Sequence, residues 1–171
     1  MTDKVLVVDY TKCTGCRKCE VVCSVFHTGY SDPGRSRIRV LSLDEIGFYL
    51  PMSCQNCDEP FCTEVCPAKA CHRDSETDKV IIDKAKCIGC KTCILACPFG
   101  APSFDRIEKV SIKCDFCGGE PQCVACCETK AIDYIDKDFV GVNRRNEIAL
   151  KLSPFINDAT ERTALTEMIS G

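Results

Sequence analysis

The sequence predicts a small α+β protein that folds around bound metal, and three observations carry that expectation. Eighteen of the 171 residues are cysteine, gathered in four groups rather than spread over loops. Short strand-like runs, Lys4–Asp9 (KVLVVD) and Lys79–Asp83 (KVIID), each lead into one of these groups. The runs also repeat. VVDYTKCTGC from Val7 and IIDKAKCIGC from Ile81 share Asp, Lys, Cys, Gly and Cys in register, with Cys13 and Cys87 lying 74 residues apart.

The third group is the most informative. In Lys86–Pro98, KCIGCKTCILACP, Cys87, Cys90 and Cys93 are three apart, Cys97 follows four later, and Pro98 closes the run. This C-x-x-C-x-x-C-x-x-x-C-P spacing is that of bacterial 4Fe–4S sites, in which three thiolates wrap one cubic cluster. The fourth cysteine, one helical turn on, points elsewhere and in two-cluster proteins holds the other cluster. A zinc knuckle is the competing reading, but zinc sites rarely take a third cysteine two residues on.

The other groups vary this theme. The first, Cys13, Cys16, Cys19 and Cys23, repeats the same intervals. Gly15 and Gly89 fall where the chain must turn tightly and where a side chain would crowd a cluster. The second, Cys54, Cys57, Cys62 and Cys66, carries two extra residues before its third cysteine and has Pro67 after its last. The fourth, Cys114, Cys117, Cys123 and Cys127, echoes the second, and AKA at Ala68 answers TKA at Thr129. Spacing favours Cys127 over its neighbour Cys126, and Cys71 matches no ligand position, so it reads as a free thiol packed near a cluster. Ser24 and Glu128 stand where the other two groups have proline, which keeps three clusters open as the alternative to four.

Composition narrows the function. Without cysteine the apolar content falls to roughly a third, thin for a core, so metal binding should supply much of the folding free energy. The N-terminal run MTDKVLVVDYTKC has no secretory pattern, and clustered cysteines suit a reducing compartment, so the expectation is a cytoplasmic protein. No apolar run reaches the ~18 residues of a membrane span. The net charge of −3, with both signs mixed along the sequence, points to no nucleic-acid partner. Two histidines and no tryptophan leave little for acid–base catalysis. His27 and His72 read as surface or packing residues, with His27 close enough in sequence to touch a cluster.

Between the first two groups, Arg37–Leu41 reads as a strand pairing with Gly47–Leu50 across an Asp44–Gly47 turn. Arg35, Arg37 and Arg39 would share one face of it, either solvated or facing an acidic partner. Strands are also expected at Val110–Lys113 and Ala131–Ile135. The cysteine-free tail predicts a helix over Arg144–Leu152 and a second from Asp158, with Leu165, Met168 and Ile169 as its apolar stripe.

Four cysteine groups in this order resemble the iron–sulfur subunits of the dimethyl sulfoxide reductase type, over roughly residues 4 to 135. That resemblance implies two ferredoxin-like modules: a double domain over 1–135, with an inner module at about 50–105 nested in an outer one of about 1–30 plus 106–135. Residues 136–171 would form a helical tail, either packed back on the body or used to dock a partner. It implies four ligand sets. Cys13, Cys16 and Cys19 take Cys127 (site I), and Cys54, Cys57 and Cys62 take Cys97 (site II). Cys87, Cys90 and Cys93 take Cys66 (site III), and Cys114, Cys117 and Cys123 take Cys23 (site IV). The function implied is a non-catalytic subunit that relays single electrons to or from a large catalytic subunit and a further redox donor or acceptor. The finer likeness is to the small subunits of tungsten-dependent aldehyde oxidoreductases and class II benzoyl-coenzyme A reductases, so a tungsten or molybdenum pterin partner is expected. A free polyferredoxin, or the carrier of a hydrogenase or carbon monoxide dehydrogenase, is the alternative.

Overall fold

A computed structural model of the protein describes residues 4–142 and Arg145. It is a mixed fold of short elements, as the α+β expectation requires. Strand β1 (Lys4–Val8) leads into helix α1 (Lys18–Thr28), then β2 (Arg39–Leu43) and β3 (Phe48–Met52). Helix α2 (Phe61–Glu64), strands β4 (Cys71–Arg73) and β5 (Val80–Ile82), and helix α3 (Thr92–Ala96) follow. The series closes with β6 (Ser103–Asp105), β7 (Val110–Ile112), α4 (Gln122–Ala125) and β8 (Ile132–Asp136).

Among the described residues every sheet has two strands. The first and last strands, β1 and β8, pair with each other, while β2–β3, β4–β5 and β6–β7 are local antiparallel pairs. Helix α1 packs on α4, and α2 on α3. Two-stranded ribbons have little independent stability, so they need what lies between them. Here the interior is rich in sulfur: seven of the seventeen buried apolar residues among those described are cysteines. Leu6, Ile38, Val40, Phe116 and Ile132 join Cys19, Cys23, Cys54, Cys114 and Cys123 in one cluster. A core of this composition is completed by metal rather than by hydrocarbon.

The β2–β3 hairpin forms with its register two residues beyond the expected strand start. Arg39 faces Met52 and Leu43 faces Phe48, and Gly47 makes the turn at φ 63°. That shift overturns the arginine face. Arg35 and Arg37 lie ahead of the strand and are neither solvated nor free for a partner: their side chains are 12% exposed and ion-paired. Arg35 holds Asp105 and Glu108, each at 2.7 Å, Arg37 holds Asp115, and Arg39 donates to the carbonyls of Pro33 and Gly34. Strands β4 (CHR) and β6 (SFD) were not expected, having too few apolar residues to stand out from loop. His72 sits in β4, partly buried, with Nδ1 3.1 Å from the carbonyl oxygen of Ala70.

The protein divides into a body ending at Tyr134 and a second unit that begins at Ile135. In the second unit residues 137–142 are helical. The helices expected over Arg144–Leu152 and from Asp158 lie outside the described residues, Arg145 apart. Among the described residues no helix is long and apolar enough to cross a membrane.

Candidate metal centres

Cysteines at i and i+4 lie on one helix face, one turn apart, so a single short helix can serve two sites. Helix α1 does this with Cys19 and Cys23, both buried. Cys19 lines a cavity with Cys13, Cys16, Cys126 and Cys127, the last two brought from the far end of the body. Cys23 acts electrostatically on Cys117 and Cys123. Its sulfur shares the buried cluster with Cys114 and Cys123. The inner elements work the same way. Cys54, Cys57, Cys62 and Cys97 line one cavity, and Cys66, Cys71, Cys87, Cys90 and Cys93 another. All three are walled almost wholly by sulfur and carbon, with little polar surface.

Backbone amides point at the sulfurs. The N–H of Arg37 donates to Cys23 at 3.3 Å, and that of Ala131 to Cys127 at 3.2 Å. Asn56 and Phe116 donate to Cys54 and Cys114, two residues back, and Cys71 and Ser111 donate to Cys66 and Cys87, all at 3.4 Å. The Thr92 hydroxyl adds a bond to Cys90 at 3.4 Å. Such donors suit sulfur that carries charge, and hydrogen bonds to sulfur tune an iron–sulfur potential.

As free thiols these groups sit uncomfortably. Burial pushes Cys19 and Cys123 up to about 12 and Cys114 well above its ordinary value. Thiolates at those positions need a cation among them, which bound iron supplies. An all-thiol donor set and converging amides therefore fit iron–sulfur clusters.

Thiols of different groups also lie close enough to act on one another. In the ligand sets that the resemblance implies, Cys62 (site II) acts electrostatically on Cys93 (site III), Cys54 (site II) on Cys114 (site IV), and Cys19 (site I) on Cys123 (site IV). The thiols thus run III, II, IV, I. The interior members Cys54 and Cys114 are buried, whereas Cys90 of site III and Cys16 of site I are exposed.

Two cysteines stand apart from the ligand spacing. Cys71 is buried, and its thiol hydrogen-bonds Cys62, which lowers Cys62 and raises Cys71. The Cys126 thiol donates to the carbonyl of Cys123 at 3.4 Å, and burial raises it. His27 does reach a cysteine group: Nε2 is 3.8 Å from Cys117 Sγ and 3.5 Å from Asp115 Oδ1. Burial, helped by Arg37, holds its imidazole below the usual histidine range. Sequence reasoning missed Lys113, which lines the site II cavity.

Comparison with known proteins agrees with the chemistry. Residues 46–137 match one family described as a 4Fe–4S dicluster domain, and residues 12–70 match a second of the same description. The protein is 39% identical over 130 residues to the polyferredoxin-like subunit of the aliphatic sulfonate oxidoreductase of Pyrococcus furiosus, covering 76% of this sequence and 75% of that one. It is 34% identical over 145 residues to a subunit of the anaerobic dimethyl sulfoxide reductase of Escherichia coli, covering 74% and 70%. An iron–sulfur protein of Rhodospirillum rubrum is 34% identical over 168 residues, covering 82% and 86%. Among solved structures, a polypeptide of the active-site complex BamBC of benzoyl-coenzyme A reductase is similar at a TM-score of 0.48 and 26% identity, covering 94% and 96%.

Proposed function

The protein belongs to the 4Fe–4S dicluster family, and on that premise we propose that it is an electron-transfer subunit relaying single electrons through four 4Fe–4S clusters. The observation that carries the reading is the convergence, at each of four sites, of thiols from two different cysteine groups. In this reading Cys13, Cys16, Cys19 and Cys127 hold the cluster of site I, and Cys54, Cys57, Cys62 and Cys97 that of site II. Cys66, Cys87, Cys90 and Cys93 hold the cluster of site III, and Cys23, Cys114, Cys117 and Cys123 that of site IV.

When bound, the clusters supply one-electron redox chemistry; the polypeptide sets their order, their burial and the hydrogen bonds to their sulfurs. The succession III, II, IV, I, with exposed Cys90 and Cys16 in its terminal sites, supports a wire with one contact at each end. Four thiolates per site leave no open iron for a substrate, so the reaction belongs to a larger catalytic subunit. Relatives named as subunits of a sulfonate oxidoreductase and a dimethyl sulfoxide reductase support such a partner. A tungsten or molybdenum pterin in that partner follows from the sequence resemblance. The nested modules, and the docking of 136–171 on the partner, belong to the same proposal.

The test is anaerobic capture of the native complex through this subunit, followed by metal analysis. About 16 iron atoms per copy, co-eluting with a large subunit that holds tungsten or molybdenum, is the expected result. About 12 would remove one site, and elution alone would favour a free carrier.

A further inference from the structure

We infer that Lys113 is the built-in counter-ion of site II, raising the reduction potential of the cluster held by Cys54, Cys57, Cys62 and Cys97. The inference rests on the reading that these four thiols bind a cluster. Lys113 directly follows β7, whose three residues are all buried, and is itself only 4% exposed. Its ammonium has neither solvent contact nor a hydrogen-bond partner among the described residues. It lines the cavity together with the four thiols, where the remaining wall is largely apolar, including Val80, Phe99 and Pro102.

A buried ammonium facing hydrocarbon and neutral thiols would carry a large uncompensated desolvation cost. Facing a cluster with four thiolates, an anion whose charge grows by one on reduction, the same group is neutralised. A fixed positive charge in a dry cavity stabilises the reduced, more negative form, so the potential rises.

The placement is specific to this site. Lys12 and Lys86 also stand directly before a cysteine, yet their side chains are 54% and 63% exposed and pair with Asp9 and Asp83. At the position equivalent to Lys113 in the second group stands Ser53, buried and neutral. The sequence pattern alone therefore does not drive lysine inward.

The experiment is an anaerobic redox titration followed by electron paramagnetic resonance on the complex, comparing wild type with Lys113→Met and Lys113→Arg. In wild type, four one-electron waves and about 16 irons establish the underlying reading independently. In Lys113→Met one wave is expected to fall so that its reduced-to-oxidised ratio at fixed potential drops at least tenfold, a shift of about 59 mV, while the other three stay. Lys113→Arg should restore it. Four unchanged waves in Lys113→Met overturn the inference; a wild-type protein with no cluster at the second group overturns both readings. Should Lys113→Met not assemble, a Lys18→Gln background labelled with ζ-15N-lysine decides, because Lys18 lines the site I cavity and its removal clears that source. A 15N modulation on one cluster signal supports the counter-ion, and none on any signal overturns it.

Discussion

Replacing Gly89 by alanine should empty site III. Gly89 lies between Cys87 and Cys90 at φ 70°, and an added Cβ would stand 2.5 Å from the carbonyl oxygen of Lys109. The left-handed conformation alone does not decide the matter, since Arg17 and Lys91 on the equivalent loops already adopt φ of 58° and 65°. The carbonyl decides it. Lys109 belongs to the β6–β7 turn, which Asp105 pins by accepting from the amides of Ile107 and Glu108 at 2.9 and 3.0 Å. Glu108 is tied further to Arg35 and Lys84 at 2.7 and 2.6 Å. The turn therefore cannot retreat, and the cysteine loop must. Left-handed strain of about 1–3 kcal/mol and overpacking of about 1–3 kcal/mol put the total near 2–6 kcal/mol, enough to open one loop of a marginally stable protein. Gly15→Ala is the internal control. It has nearly the same φ, 71°, but its Cβ would meet the side chain of Tyr49 at 2.5 Å rather than a pinned backbone carbonyl. Iron per copy and anaerobic denaturation read both variants. The expectation is a loss of about four irons for Gly89→Ala and full iron with a smaller stability loss for Gly15→Ala. Unchanged iron in Gly89→Ala, or equal damage from both, would refute the reasoning.

Asp105→Asn should destabilise the body by about 3 kcal/mol, near the low end for breaking a buried ion pair because Glu108 still holds Arg35. Burial raises the Asp105 carboxyl, but the Glu108 amide and the Arg35 guanidinium outweigh it and hold the group below its ordinary value. A depressed carboxyl contributes fully above about pH 4 and loses that contribution as pH falls, so the wild-type advantage in denaturation midpoint should shrink there. An advantage that grew in acid would contradict this. For the thiols, alanine at Cys71 or Cys126 should leave iron content intact, whereas alanine at Cys127 should cost about four irons per copy. Loss of iron from Cys126→Ala with retention in Cys127→Ala would reverse the assignment at site I.

Local chemistry was legible along the sequence. Cysteine intervals reveal iron–sulfur groups because ligands two and three residues apart must share one small object, whatever the rest of the fold does. Gly15 and Gly89 could be singled out for the same reason, and strands β1, β5, β7 and β8 from short runs that are apolar or alternate with polar residues. Strands β4 (CHR) and β6 (SFD) were invisible, since each is mostly polar or charged and the pairing partner supplies the order.

The charged residues mark the other boundary. Arg35 and Arg37 have the local pattern of a solvated strand face, yet their partners Asp105 and Asp115 lie 70 and 78 residues away. Lys12, Lys86 and Lys113 share one local context, a lysine before a cysteine, but only Lys113 is driven under the surface. By itself the sequence determined the kind of cofactor and the three-thiol loops, because those depend on neighbours a few residues apart. Only the tertiary structure decided that Cys127 reaches the Cys13 cavity, that the thiol sites succeed one another as III, II, IV, I, and that one lysine faces four sulfurs. Those facts come from long-range packing, where burial and charge depend on residues brought together from distant parts of the sequence.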